Sequence, residues 1–361
     1  VDYGLRKEGD MKRIAVIPGD GVGPEVIKEE IKVLKVVSKK CRIDLKFKYF
    51  NLGAEYYLKK GEVLPDKIKK ELSSFEVILL GAVGDPRVKS GILEEGLLLN
   101  LRFSFDQYIN LRPVKLLDES LCPLKGKKKE DVNFVVVREN TEGPYVGMGG
   151  FFKFGTPDEV ALQEDVNTYK GVERVIEYAF SLAKKRGYKR VTMSDKSNVL
   201  TYGHDLWQRV FWEKARKHRE ISANHLFIDA LCMQMIKRPE QFEVIVTSNM
   251  FGDIITDLGA QIQGGMGLAA SGNINPKGVS MFEPVHGSAP KYKDKGIANP
   301  LAAILAGQMM LEHLGYQRGA KMIEDAVERS IKEGKTTKDL GGSLTTKEVG
   351  DYVCEVIGDI P

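Results

Sequence analysis

Asp253 and Asp257 stand four residues apart in the run NMFGDIITD at 249–257. On a helix that spacing places two carboxylates on one face, a turn apart. Like charges so close repel, and a divalent cation with oxygen ligands is a natural offset. Taken alone, an acidic pair is more often a plain solvated face. The setting argues for a site: Ile254 and Ile255 lie between the acids, the run VIVT at 244–247 precedes them, and a Gly-rich stretch at 264–267 follows. Asn249 is the expected N-cap of that helix. Asp229 repeats the pattern of an acid at the end of an apolar run. Arg102, Arg112 and Arg138 also follow apolar runs. Singly each reads as surface; converging, they make a pocket for two carboxylates, because the guanidinium fork binds carboxylate bidentately. Lys196, in the cluster SDKSN at 194–198, is either solvated or placed for proton transfer, and the residues alone leave both open. His204, His218, His225 and His313 have no metal-ligand spacing.

The elements that carry these residues alternate. Buried strands are expected at 14–17, 77–80, 190–193 and 244–247, with amphipathic helices between them, which argues for α/β layering. One helix follows the loop PGDGVGPE at 18–25, whose glycines suit either close approach to a ligand or a tight strand-to-helix turn. The spacing is G-x-G-x-G, not the dinucleotide fingerprint G-x-G-x-x-G. Another helix spans 171–185, a third starts after Asn299-Pro300 and runs to Leu314, and a last one uses Met322 to Ile331. Residues 151–157 read as an irregular arm rich in Phe and Gly. The chain of 361 residues is long enough for two domains. Its net charge of +4 gives no electrostatic case for nucleic acid, and the lysine run at 125–129 reads as a solvated loop. No apolar span reaches membrane length. Four scattered cysteines without C-x-x-C fit free thiols in a reducing cytoplasm. Residues 1–10 read as a tag or linker remnant before a start at Met11.

From Met11 almost to its C-terminus the chain resembles the isocitrate and isopropylmalate dehydrogenase family of metal-dependent oxidative decarboxylases. The most specific matches are 249–257 and EPVHGSAP at 283–290, supported by 19–25, 138–145 and 195–198. The resemblance implies two α/β domains sharing a central sheet, which is not a Rossmann fold. Residues 11–108 plus 265–361 would form the first, cofactor-binding domain. Residues 109–264 would form the second, with substrate, metal and dimer contacts.

The reaction implied is oxidation of a 2-hydroxyl by hydride transfer to a nicotinamide, then loss of the β-carboxylate. Arg102, Arg112 and Arg138 would hold substrate carboxylates, with Asn198 beside them. Asp253 and Asp257, with Asp229 of a partner subunit, would bind Mg²⁺ or Mn²⁺. Lys196, also from the partner, would act as general base, and Tyr145 would protonate the enol carbon. Glu283, His286, Gly287, Ser288, Ala289, Pro290, Lys291 and Asn299 would contact the cofactor. Leu98 and Leu99, with Glu95 at the rim, suit a branched alkyl group and reject a third carboxylate. The substrate implied is therefore 3-isopropylmalate, in leucine biosynthesis, with D-malate or tartrate as the alternative and isocitrate or homoisocitrate less favoured. Lys291-Tyr292 resembles NADP-using members, whereas TKDLGG at 337–342 resembles NAD-using ones, and NAD is preferred. The complete residue set argues against a non-catalytic regulatory subunit. A homodimer with shared sites is expected.

Overall fold

The computed structural model describes residues 11–360, so the reading of residues 1–10 lies outside the described residues. In chain order the strands are β1 Lys12–Gly19, β2 Leu45–Tyr49, β3 Val77–Ala82, β4 Ile109–Lys115, β5 Asn133–Glu139, β6 Gly149–Phe152, β7 Val160–Gln163, β8 Arg190–Asp195, β9 Ser222–Phe227, β10 Val244–Thr247, β11 Ala270–Ile274 and β12 Ser280–Pro284. The helices are α1 Gly23–Cys41, α2 Ala54–Lys60, α3 Asp66–Leu72, α4 Asn100–Ser104, α5 Tyr169–Arg186, α6 Gly203–Lys217, α7 Ile228–Lys237, α8 Asn249–Ile262, α9 Leu301–His313, α10 Gln317–Lys332 and α11 Thr346–Asp359. They divide into two compact units, one running through Gln107 and resuming at Gly264, the other Tyr108–Gln263.

In the first unit the strand order is β2-β1-β3-β12-β11, with only the β11–β12 pair antiparallel. That order is not the 3-2-1-4-5-6 of a dinucleotide fold. β3 is buried along its whole length, which is why it reads as an unbroken aliphatic run. The loop between β1 and α1 is a tight turn against the chain's own backbone. A Cβ on Gly21 (φ +58) would lie 1.9 Å from the Ser288 carbonyl oxygen, and one on Gly19 (φ +72) equally close to that of Ala82. Asp20 stays in this loop by accepting the Ala54 and Gly84 amide hydrogens at 2.8 and 3.0 Å. The glycines therefore serve chain packing, as the tight strand-to-helix turn requires.

Two elements of this unit depart from expectation. Beyond the helix at 322–331, which is part of α10, the chain forms α11, opened by a capping box between Thr345 and Glu348. Residues Glu94–Leu99 make a π-helical turn running straight into α4. A π-turn inserts one residue into the helical repeat, so side-chain directions there cannot be read from a 3.6 period.

The second unit has strand order β4-β5-β10-β8-β9, antiparallel only at β4–β5. β10 is fully buried, and α7 and α8 pack beside the sheet with Leu231, Met235, Ile255 and Ile262 in one core cluster. In the segment expected to be an irregular arm, Phe151 and Phe152 end β6, and residues 153–157 are irregular, in the turn that joins β6 to β7 as an antiparallel ribbon. Every residue of both strands is exposed, Phe151 and Phe152 among them. A two-stranded ribbon without an apolar cover is marginal in water.

Candidate active site

Asp253 and Asp257 lie on α8, which starts directly after β10. The N-cap is Ser248 rather than Asn249. The Asn249 side chain is engaged elsewhere. Its Oδ1 accepts from Arg138 Nε and Nη2 at 3.0 and 2.8 Å, and its amide donates to the Glu142 carbonyl at 3.0 Å. Arg138, at the end of β5, is 1% exposed and crosses α8 at Gly252. A Cβ there would sit 2.4 Å from Arg138 Cγ, so only glycine leaves room for the arginine. Its Nη1 meets Asp253 Oδ1 in a close ion pair.

Arg112, on β4, joins the same carboxylate, with Nη2 3.2 Å from Asp253 Oδ1. Its Nε donates to Asn110 Oδ1 at 2.7 Å and its Nη1 to Thr256 Oγ1 at 2.6 Å. Its Nη1 is 3.9 Å from Asp257 Oδ1. The Tyr145 hydroxyl donates to Asp253 Oδ2 at 2.7 Å, and the Arg138 guanidinium lies 5.2 Å from the Tyr145 ring centre. Two arginines, two acids and a phenol thus share one end of the sheet. Burial, with the Asp253 charge a turn away, raises the Asp257 carboxyl above the usual range, and Arg112 and Arg138 oppose that only in part.

Lys196 and Asp229 form a second group. Lys196 follows β8 and Asp229 sits in the first turn of α7; Nζ is 2.6 Å from Asp229 Oδ1. The lysine holds the aspartate below the usual carboxylate range. Asp229 does not join Asp253 and Asp257 within one chain. Among the described residues no three His, Cys, Asp or Glu side chains are grouped to hold a metal. Asn198 is exposed on the Lys196 loop.

In the first unit, Arg102 is buried and its Nη2 lies 3.2 Å from Glu283 Oε1, which also accepts from Asn273 at 2.7 Å. Leu97 fills the core while Leu98 packs at its edge, and Leu99 is half-buried. Glu94 and Glu95 are exposed, and Glu94 Oε2 accepts the Gly91 amide hydrogen at 3.2 Å. In the stretch 283–290, Ala289 adopts a left-handed backbone (φ 40) beside Ser288, whose carbonyl accepts from the Val22 amide at 2.8 Å. His286 Nδ1 lies 3.1 Å from the Gly287 carbonyl, and its buried Nε2 has no partner among the described residues. Lys291 Nζ stands 4.7 Å from the Tyr292 ring centre. Asn299 donates to Asp339 Oδ2 at 2.9 Å and accepts from the Leu301 amide at 3.0 Å.

The isocitrate/isopropylmalate dehydrogenase family model matches residues 13–353. The chain belongs to this family. Among its relatives, a 3-isopropylmalate dehydrogenase of Thermobifida fusca is 50% identical over 349 residues, covering 96% of this chain and 98% of that one. A 3-isopropylmalate dehydrogenase of Streptomyces griseus is 49% identical, with 94% and 96% covered. Among solved structures, an isocitrate dehydrogenase from Methylococcus capsulatus superimposes with a TM-score of 0.88 at 36% identity, covering 96% of this chain and 99% of that one. A β-decarboxylating dehydrogenase from Thermococcus kodakarensis gives 0.80 at 34%, with 97% of each covered. The α/β fold class expected from the sequence is the one this family shares.

Residue-by-residue reading missed Asn110, Thr256 and Gly252 as the supports of the two arginines. Only the i,i+4 spacing of Gly252 and Thr256, one residue ahead of each acid, pointed to them. Glu139 was missed as well. It is 1% exposed beside Arg138, and burial pushes its carboxyl up to about 6 against hydrogen bonds from Thr141 and Glu142. A folded value above the unfolded one favours folding at low pH, and that contribution is lost as pH rises from 4.5 through about 6. The expected result is a melting temperature that falls more steeply over this window in wild type than in Glu139→Gln. Parallel slopes would remove the assignment.

Proposed function

We propose that the chain catalyses the NAD-dependent oxidative decarboxylation of 3-isopropylmalate to 2-oxoisocaproate and CO₂, a step of leucine biosynthesis. The observation that carries this reading is the convergence of Arg112, Arg138 and Tyr145 on Asp253, in a chain half identical to 3-isopropylmalate dehydrogenases. The acid pair fits a hard dication: the donors are all oxygen, and burial together with the Asp253 charge disfavours the Asp257 anion, which a dication would favour. Asp253 and Asp257, with Asp229 of a second copy, would hold Mg²⁺ or Mn²⁺, which would supply Lewis-acid stabilisation of negative charge on the substrate oxygen. The nicotinamide supplies the hydride acceptor. The unpartnered, buried Nε2 of His286, in the stretch 283–290 with Lys291 and Asn299 beyond it, fits a cofactor donor group.

The chain's own side chains do the rest. Arg112 and Arg138, with Arg102, hold the substrate carboxylates as forks. Lys196 Nζ of the second copy, in its neutral form, takes the hydroxyl proton as hydride leaves the hydroxyl-bearing carbon for the nicotinamide. Once CO₂ has departed, Tyr145 gives its hydroxyl proton to the enol carbon. The contact with Asp253 fixes that hydroxyl, and Tyr145→Phe keeps the ring beside Arg138 while removing the hydroxyl with its proton and its bond to Asp253. Turnover is expected to fall by about 10²–10⁴-fold with KM little changed; wild-type kcat would strike Tyr145 from the mechanism.

Leu98 and Leu99 support an isopropyl substituent over a third carboxylate, with Glu95 at the rim. The decisive test compares kcat/KM on 3-isopropylmalate, D-malate and isocitrate with Mg²⁺. Preference for 3-isopropylmalate upholds the reading, and preference for isocitrate overturns it. D-malate or tartrate oxidation is the second reading, favoured by the sequence at 105–113 and 138–143. NAD is the cofactor we infer, with NADP as the competitor because of Lys291. If that lysine serves a 2′-phosphate weakly, Lys291→Asp should raise the NADP KM by roughly tenfold and leave that for NAD near wild type. A lower wild-type KM for NADP than for NAD would reverse the assignment.

A homodimer is supported by what one chain leaves exposed. Met233 and Ile236 on α7, Met250 and Ile254 on α8, and Phe151 and Phe152 of the ribbon are exposed apolar residues of the unit that carries an acid pair in need of a third ligand. No described helix is long and apolar enough to cross a membrane, and the four cysteines are free thiols.

A further inference from the structure

His204 is the second residue of α6 and is 1% exposed. Its Nδ1 accepts the backbone amide hydrogen of Lys196 at 2.8 Å. The Lys196 carbonyl in turn accepts from the amides of Val199 and Leu200 at 2.9 and 2.8 Å, so the lysine's backbone is tied at both of its polar groups. The other side of the imidazole meets Phe251 edge to face, with ring centres 5.4 Å apart. Phe251 is on α8, two residues before Asp253. One buried ring therefore touches both the turn that carries Lys196 and the helix that carries the acids.

We propose that His204 is a positioning residue for Lys196: it fixes the direction in which the lysine side chain leaves its turn by accepting the Lys196 amide hydrogen. The inference rests on the assignment of Lys196 as the general base. Because a backbone N–H occupies Nδ1, the ring proton must be on Nε2, which faces Asp165 Oδ2 at 4.0 Å. Asp195, whose carboxylate is held by His225, Ser197 and Gln208, is the other charge acting on the ring. Burial, opposed by Asp195 and Asp165, keeps the imidazole below its ordinary value and hence neutral. A protonated ring would have no acceptor to offer. An ordinary core histidine would contribute by filling volume, and its acceptor atom would be dispensable.

The acceptor separates the two roles. Asn carries its oxygen close to the place of Nδ1, whereas Leu fills similar space without one, and Gln puts its oxygen further out. His204→Leu is expected to lower kcat by roughly 10–100-fold with KM for substrate within about twofold. His204→Asn should restore kcat to within about threefold of wild type. If His204→Leu does not fold, His204→Gln takes its place with the same expectation. In a Lys196→Ala background, which already lacks the group being positioned, His204→Leu should cost nothing further. An Asn variant no better than the Leu or Gln one overturns the proposal, as does a full second loss in the Lys196→Ala background. Wild-type turnover in Lys196→Ala alone overturns the base assignment, and the proposal with it. A deficient Lys196→Ala without rescue by Asn overturns the proposal alone.

Discussion

Lys196→Ala is expected to lower kcat by about 10²–10⁴-fold, the range that a positioned general base contributes. The side chain is half-buried, ends on Asp229 and springs from a turn whose backbone is hydrogen-bonded on both sides. Its removal takes away the proton acceptor without emptying the core, so the melting temperature should move little. Steady-state kcat alongside a thermal melt separates the two effects. Unchanged kcat would leave the ion pair with Asp229 as the lysine's whole role.

Asp253→Asn is the second large effect. The carboxylate is the common partner of Arg138, Arg112 and Tyr145. Neutralising it removes one anionic ligand for a dication and takes a charged partner from both guanidinium groups. Lewis-acid assistance amounts to several kcal/mol, so its loss corresponds to a fall in turnover on the order of 10³-fold. Substrate KM should move as well, since the two arginines are the proposed carboxylate fork. The rate against Mn²⁺ concentration should need far more metal in the variant than in wild type. A variant with wild-type metal dependence would show that Asp253 is a partner of the arginines alone.

Parts of this site were legible in the sequence because they are local. Two acids at i and i+4 share a helix face whatever the tertiary structure, and a β-branched run such as 244–247 reads as a buried strand. What holds Arg138 was not legible. Its seat is the missing side chain of Gly252, far along the chain, and a missing group leaves no pattern. Asn249 read as a cap because Asn favours caps, but the buried arginine claimed its side chain and Ser248 took the position. The ribbon at 149–163 escaped because its apolar residues face outward, against the usual in-and-out alternation. α11 did carry its signal, Thr345 three residues before Glu348, which went unread. The π-turn at 94–99 belongs to a different case: an inserted residue breaks the very period by which Leu98, Leu99 and Arg102 would be assigned a direction.

The most direct test is calorimetric titration of Mn²⁺ into the purified protein with 3-isopropylmalate present, for wild type and Asp257→Asn. Asp257 is the acid that the arginines hold least, so binding of one ion per chain that is lost in Asp257→Asn is the predicted result. Equal Mn²⁺ binding by both proteins would contradict the account, because the pair on α8 would then be an ordinary ion-paired face with the metal held elsewhere.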